Sequence, residues 1–89
     1  MENEEKAIVI LIKEGQSKGI DVEIPLNIAA NELIYGLNRG FNLGINMDDP
    51  NECYLRVENP VALLTGEKMV KEYGIRNGSR IYVRDNYSK

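Results

Sequence analysis

The chain has 89 residues, enough for one domain, and its 43% hydrophobic and 28% charged content is that of an ordinary soluble domain rather than a disordered one. A net charge of −3 argues against a nucleic-acid surface, which needs clustered Lys and Arg to displace phosphate counterions. The absence of His and the single Cys remove the commonest general base and the usual structural zinc sets, and a lone Cys53 fits a reducing compartment.

Taken in chain order, residues 1–6 (MENEEK) are acidic and are expected as a flexible tail, not a secretory signal, which starts basic and then turns apolar. Residues 7–13 (AIVILIK) have the β-branched, apolar composition of a strand. A Gly-bounded turn over 14–19 leads to 20–24 (IDVEI), where strict alternation predicts a half-buried strand paired with the first as a hairpin. Pro25 ends that strand, and Asn27 or a neighbour can cap a helix. Ala30, Leu33, Ile34, Leu37 and Phe41 follow helical spacing and predict a helix over about 28–41, weakened by Gly36 and Gly40. A polar loop with an acidic centre, 42–52, comes next. Residues 53–58 (CYLRVE) alternate again, with Cys53, Leu55 and Val57 on one side and Tyr54, Arg56 and Glu58 on the other. After the Asn59-Pro60 turn comes a short apolar run, Val61 to Leu64. Residues 67–73 can form one helical turn closed by Gly74, and 80–84 (RIYVR) form the last strand, with Ile81 and Val83 inward.

The order β-β-α-β-β-turn-β predicts an α+β fold of the β-grasp type, a five-stranded mixed sheet packed on one helix. The expected domain runs over 7–85, with 86–89 as a second flexible tail. The inward set is expected to be Ile8, Ile10, Ile12, Ile20, Val22, Ile24, Leu33, Leu37, Leu55, Val57, Ile81 and Val83.

The segment from Met69 to Val83 resembles the closing segment of ubiquitin, with Met69, Tyr73, Ile75, Ile81 and Val83 matching in order, and IDVEIP resembles ubiquitin's second strand. Within the ubiquitin-like proteins the chain is similar to the YukD/EsaB family of Gram-positive bacteria. The similarity lies in Leu55-Arg56-Val57, in Thr65-Gly66-Glu67, and in the ending Gly74, Ile75, Asn77, Gly78 and Arg80. This resemblance implies a cytoplasmic accessory or regulatory component of a type VII secretion system. Such a component is not conjugated to targets and works beside membrane-anchored proteins of the apparatus at the inner face of the membrane. It also implies that Tyr73 hydrogen-bonds a nearby loop.

A carrier role of the ubiquitin kind needs a tail ending in Gly-Gly. The chain ends Asn86-Tyr87-Ser88-Lys89, so no conjugation and no sulfur carriage are expected. No catalytic residue, metal or cofactor is expected either. Cys53 has no His to activate it and reads as a core thiol. Asp48, Asp49 and Glu52 lack the spacing and fixed Gly of a calcium loop. One constellation points to protein binding. The β-grasp strand order 2-1-5-3-4 would bring the outward residues Val9 and Leu11, Tyr82 and Arg84, and Tyr54 and Arg56 into one patch. Apolar, Tyr and Arg side chains of this kind are typical of interface hot spots. The same patch can also pair two copies of the chain.

Overall fold

The computed structural model describes residues 5–84. Five strands and one α-helix are built from the alternating and helical runs of the sequence: β1 (Lys6–Lys13), β2 (Ile20–Pro25), α1 (Ala30–Phe41), β3 (Leu55–Glu58), β4 (Ala62–Leu64) and β5 (Arg80–Val83), with a 3-10 turn at Val70–Tyr73 before the last strand. The sheet order is β2-β1-β5-β3-β4. β1 and β5 run parallel through its centre, and the other neighbours are antiparallel. This is the expected mixed β-grasp sheet.

The helix starts at Ala30, two residues later than the spacing predicts. Ala29 stands at its N-cap without a side-chain acceptor, and the Glu32 carboxylate accepts the Ala29 N–H at 3.2 Å instead. Asn42 ends it in the left-handed conformation (φ 54°). One stripe, Ala30, Leu33, Ile34 and Leu37, is buried against the sheet. Asn38 clamps the following loop by accepting from the Ile45 N–H and donating to the Ile45 carbonyl, both at 2.9 Å.

From the sheet, the helix-facing core takes Ala7, Val9 and Leu11 of β1, Ile24 of β2, Leu55 and Val57 of β3, Leu64 of β4, and Ile81 and Val83 of β5. Here β1 corrects the sequence reading. Val9, expected outward, is 1% exposed, and Leu11, also expected outward, is 7% exposed; Ile8, expected inward, is 51% exposed. The cause is register. Ala7, Val9 and Leu11 stand opposite Ile24, Val22 and Ile20, and residues directly opposite share a side of the sheet. Ile8 and Ile10 stand opposite Glu23 and Asp21 on the outer side. Ile12, expected inward, also faces the outer side but is only 9% exposed, lying between Gly19 and Tyr82. Ile20 is on the helix side as expected, yet stays half exposed at the sheet edge.

Glu5 and Lys6, which the sequence reading places in the expected tail over 1–6, are part of the folded domain. Lys6 pairs with Pro25, the Glu5 carbonyl accepts the Leu26 N–H at 2.9 Å, and the Glu5 carboxylate lies 3.3 Å from the Lys71 ammonium. Residues 1–4, Asp85 and the expected tail 86–89 lie outside the described residues. Among the described residues, no helix is long and apolar enough to cross a membrane.

Around the 3-10 turn the resemblance-based expectation for Tyr73 holds. Its hydroxyl donates to the Thr65 carbonyl at 2.7 Å and accepts from the Thr65 N–H at 3.4 Å, pinning the 65–73 loop. Ser79 is fully buried and satisfied: its hydroxyl donates to the Asn59 carbonyl at 2.6 Å and accepts the Arg76 N–H at 3.0 Å.

Candidate functional site

Among the described residues, one α-helix covers one side of the sheet, and the residues of the other side are the ones that alternate out of the core. The register places Arg56, Tyr82 and Ile12 side by side across β3, β5 and β1, and Glu58, Arg80 and Ile10 in the next row. Tyr54 and Arg84, at the margins of β3 and β5, make a third pair on this face.

The centre of the face is ordered by aromatic and charged contacts. The Arg56 guanidinium lies 4.5 Å over the Tyr82 ring, and the Arg84 guanidinium lies 5.2 Å from the Tyr54 ring. Arg56 also meets the carboxylates of Glu14 at 3.2 Å and Glu58 at 3.5 Å, and the Tyr82 hydroxyl donates to Glu58 at 3.0 Å. Partial burial, together with the hydrogen bond and negative charge of Glu58, pushes the Tyr82 phenol above its usual range, so it remains a donor. Exposed ion pairs of this kind contribute only about 0–1 kcal/mol each to folding. Their consequence is rotamer order: four large side chains are already fixed, which lowers the entropy lost when a partner docks.

On either side of this Tyr–Arg centre lies apolar surface. Ile8 of β1 is 51% exposed on one flank, and Leu63 of β4, opposite Arg56, is 50% exposed on the other. Four of the six expected site residues, Tyr54, Arg56, Tyr82 and Arg84, thus come together on the outer face. Val9 and Leu11 do not; they point into the core, and Ile8 and Ile10 take their places. Leu63 and the anchoring Glu58 and Glu14 were missed. The outward parity of Glu58 was legible, but Glu14 and Leu63 meet Arg56 only through long-range pairing.

The other candidates of the sequence carry no such arrangement. Cys53 is buried, its thiol is pushed up by burial, and its neighbours are the Asn31 side-chain oxygen at 3.7 Å and the Met47 sulfur at 3.9 Å. In the acidic loop, Asp49 accepts the Asn51 N–H at 2.9 Å and Glu52 accepts the Asn46 N–H at 3.3 Å, so these carboxylates stabilise their own turns. No group of three or more potential metal ligands is assembled among the described residues.

No curated protein matches the chain in sequence. Its fold is similar to solved ubiquitin-like domains. The ubiquitin-like domain from tubulin-binding cofactor B aligns with a TM-score of 0.68 at 17% identity, covering 93% of this chain and 92% of that one. The C-terminal ubiquitin-like domain of mouse tubulin-specific chaperone e gives 0.69 at 11%, covering 100% and 95%. The UBL domain of Plasmodium falciparum Dsk2 gives 0.56 at 16%, covering 89% and 99%. At such identities the likeness is one of fold. The family is shown by sequence: the model of the WXG100 protein secretion system (Wss) protein YukD matches residues 8–83. With the fold, that match over nearly the whole domain makes the chain a member of the YukD family, a ubiquitin-like module of the WXG100, or type VII, secretion system.

Proposed function

We propose that the chain is a non-enzymatic protein-binding module that docks through the outer face of its sheet onto a protein of the secretion apparatus, without being conjugated to it. The observation that carries this reading is the pre-ordered Tyr–Arg centre, Tyr82 with Arg56 and Tyr54 with Arg84, set between exposed Ile8 and Leu63. Tyr and Arg are the side chains most often found at the energetic centre of interfaces, and fixed rotamers favour their use there. The partner would place an apolar side chain between Ile10 and Tyr82 and carboxylates against Arg56 and Arg84, the latter setting rate and register more than affinity. A membrane-anchored component of the apparatus would hold the chain at the cytoplasmic face of the membrane. The absence of any Gly-Gly in the sequence and of any His beside the buried Cys53 supports a role without covalent transfer.

The test is a binding titration against the soluble domains of the apparatus, with sedimentation to detect pairing of two copies. Tyr82→Ala should weaken binding by more than about 1 kcal/mol. Asp49→Ala, in the self-satisfied acidic loop, should leave it unchanged. The reverse pattern would move the site to the loop. For the chemistry, Cys53 in the native protein should react slowly with a thiol reagent near neutral pH, because burial keeps its thiol protonated; rapid labelling would return it to consideration as a nucleophile.

A further inference from the structure

We propose that the open edge of β2, with the groove beside α1, takes an extended segment of a partner protein in which branched apolar residues alternate with Lys or Arg. Among the described residues, β2 ends the sheet on its side, with β1 as its one strand neighbour. The Leu26 N–H donates to the Glu5 carbonyl at 2.9 Å, and this bond sets the phase of the ladder. Ile20, Val22 and Ile24 therefore turn their backbone groups toward β1, while Asp21 and Glu23 turn theirs outward. Outward N–H and C=O groups on a terminal strand are the template for adding another.

A groove of about 220 Å³ runs between this edge and the helix, lined by Val22, Ile24, Ile28, Leu33 and Gly36. Gly36 is exposed in the middle of α1, and a Cβ there would meet nothing within 4 Å. Neither packing nor backbone strain calls for glycine at this position, and glycine weakens a helix; what its missing side chain does is leave the groove open. A strand added to β2 alternates its side chains. One set falls on the helix side, over the apolar groove. The next falls on the outer side, beside the exposed carboxylates of Asp21 and Glu23, and Glu32 stands at the groove's rim. Apolar residues suit the first set and basic residues the second. This site is separated by β1 from the Tyr–Arg centre and does not depend on it.

The experiment is a titration of the isotopically labelled chain, followed by NMR, with a short synthetic peptide alternating isoleucine or valine with lysine. Saturable shifts confined to β2 and α1 are expected. Gly36→Leu, whose Cβ meets nothing within 4 Å and whose longer side chain would occupy the groove, should weaken the peptide about tenfold or more and leave the melting temperature no lower. Backbone N-methylation of the peptide should abolish binding. Asp21→Lys with Glu23→Lys should lose the lysine peptide and accept its glutamate counterpart, while Tyr82→Ala should leave the peptide's affinity unchanged. The proposal is overturned by a lack of saturable binding, by shifts mapping to the outer face of the sheet, or by an affinity indifferent to Gly36→Leu, to N-methylation or to the charge swap.

Discussion

β1 and β5 lie side by side at the centre of the sheet, yet they carry very different amounts of information about their own orientation. β5 reads Arg-Ile-Tyr-Val, and its two polar-capable residues face out while Ile81 and Val83 are fully buried, as the alternation says. β1 is apolar at every position from Ala7 to Ile12, so its composition is equally compatible with either face inward. What decides is the hairpin register with β2, whose own alternation is clear, and that register puts Val9 inside and Ile8 outside. An all-apolar strand announces that it is a strand and is silent about its parity; its neighbour has to be consulted.

The sharpest way to break this comparison is a pair of leucines. Leu55→Ala in alternating β3 and Leu11→Ala in β1 should each cost about 2–5 kcal/mol, because both are buried against the helix. Ile8→Ala should cost about 1 kcal/mol or less, the scale of strand propensity at an exposed position. Urea denaturation of the three variants measures this, and a larger loss at Ile8 than at Leu11 would reverse the faces of β1.

A smaller effect is expected at Gly19, just before β2, which lets the connection from β1 pass close over Ile10 and Ile12. An added Cβ would lie 2.6 Å from Ile12 Cγ1 and 2.7 Å from the Leu11 carbonyl oxygen. Gly19→Ala should therefore destabilise by about 1–3 kcal/mol in the same assay. A neutral result would mean that Ile12 is not held between Gly19 and Tyr82 as described. The smallest effect concerns the loop that leads toward β5. Tyr73→Phe removes the bond to the Thr65 carbonyl and should cost about 0.5–1.5 kcal/mol, with faster amide exchange at Thr65 and Gly66. Unchanged exchange there would show that the loop is held by other contacts.

The same contrast explains how much of the candidate site was legible. Tyr54, Arg56, Tyr82 and Arg84 sit on alternating strands, and their outward direction followed from Leu55, Val57, Ile81 and Val83 pointing in. The expected Val9 and Leu11 failed with β1's parity. Leu63 was hidden because Val61 to Leu64 is a short run with no alternation to read, and its place opposite Arg56 arises only from the β3–β4 pairing.

The sequence by itself determined the element order, the helix stripe from Ala30 to Leu37 though not its last member, the 40% exposed Phe41, the inward residues of β3 and β5, the ubiquitin-like class through the Met69 to Val83 segment, and the YukD family through Leu55-Arg56-Val57, Thr65-Gly66-Glu67 and the Gly74 to Arg80 ending. These are properties of local periodicity and motif, written in residues near one another in the chain. The tertiary structure decided which face of β1 is core, how Glu14 and Glu58 come to hold Arg56 over Tyr82, and that β2's outward backbone groups lie beside an apolar groove. Those depend on register between strands far apart in sequence, where a slip of one residue exchanges every side chain between core and solvent.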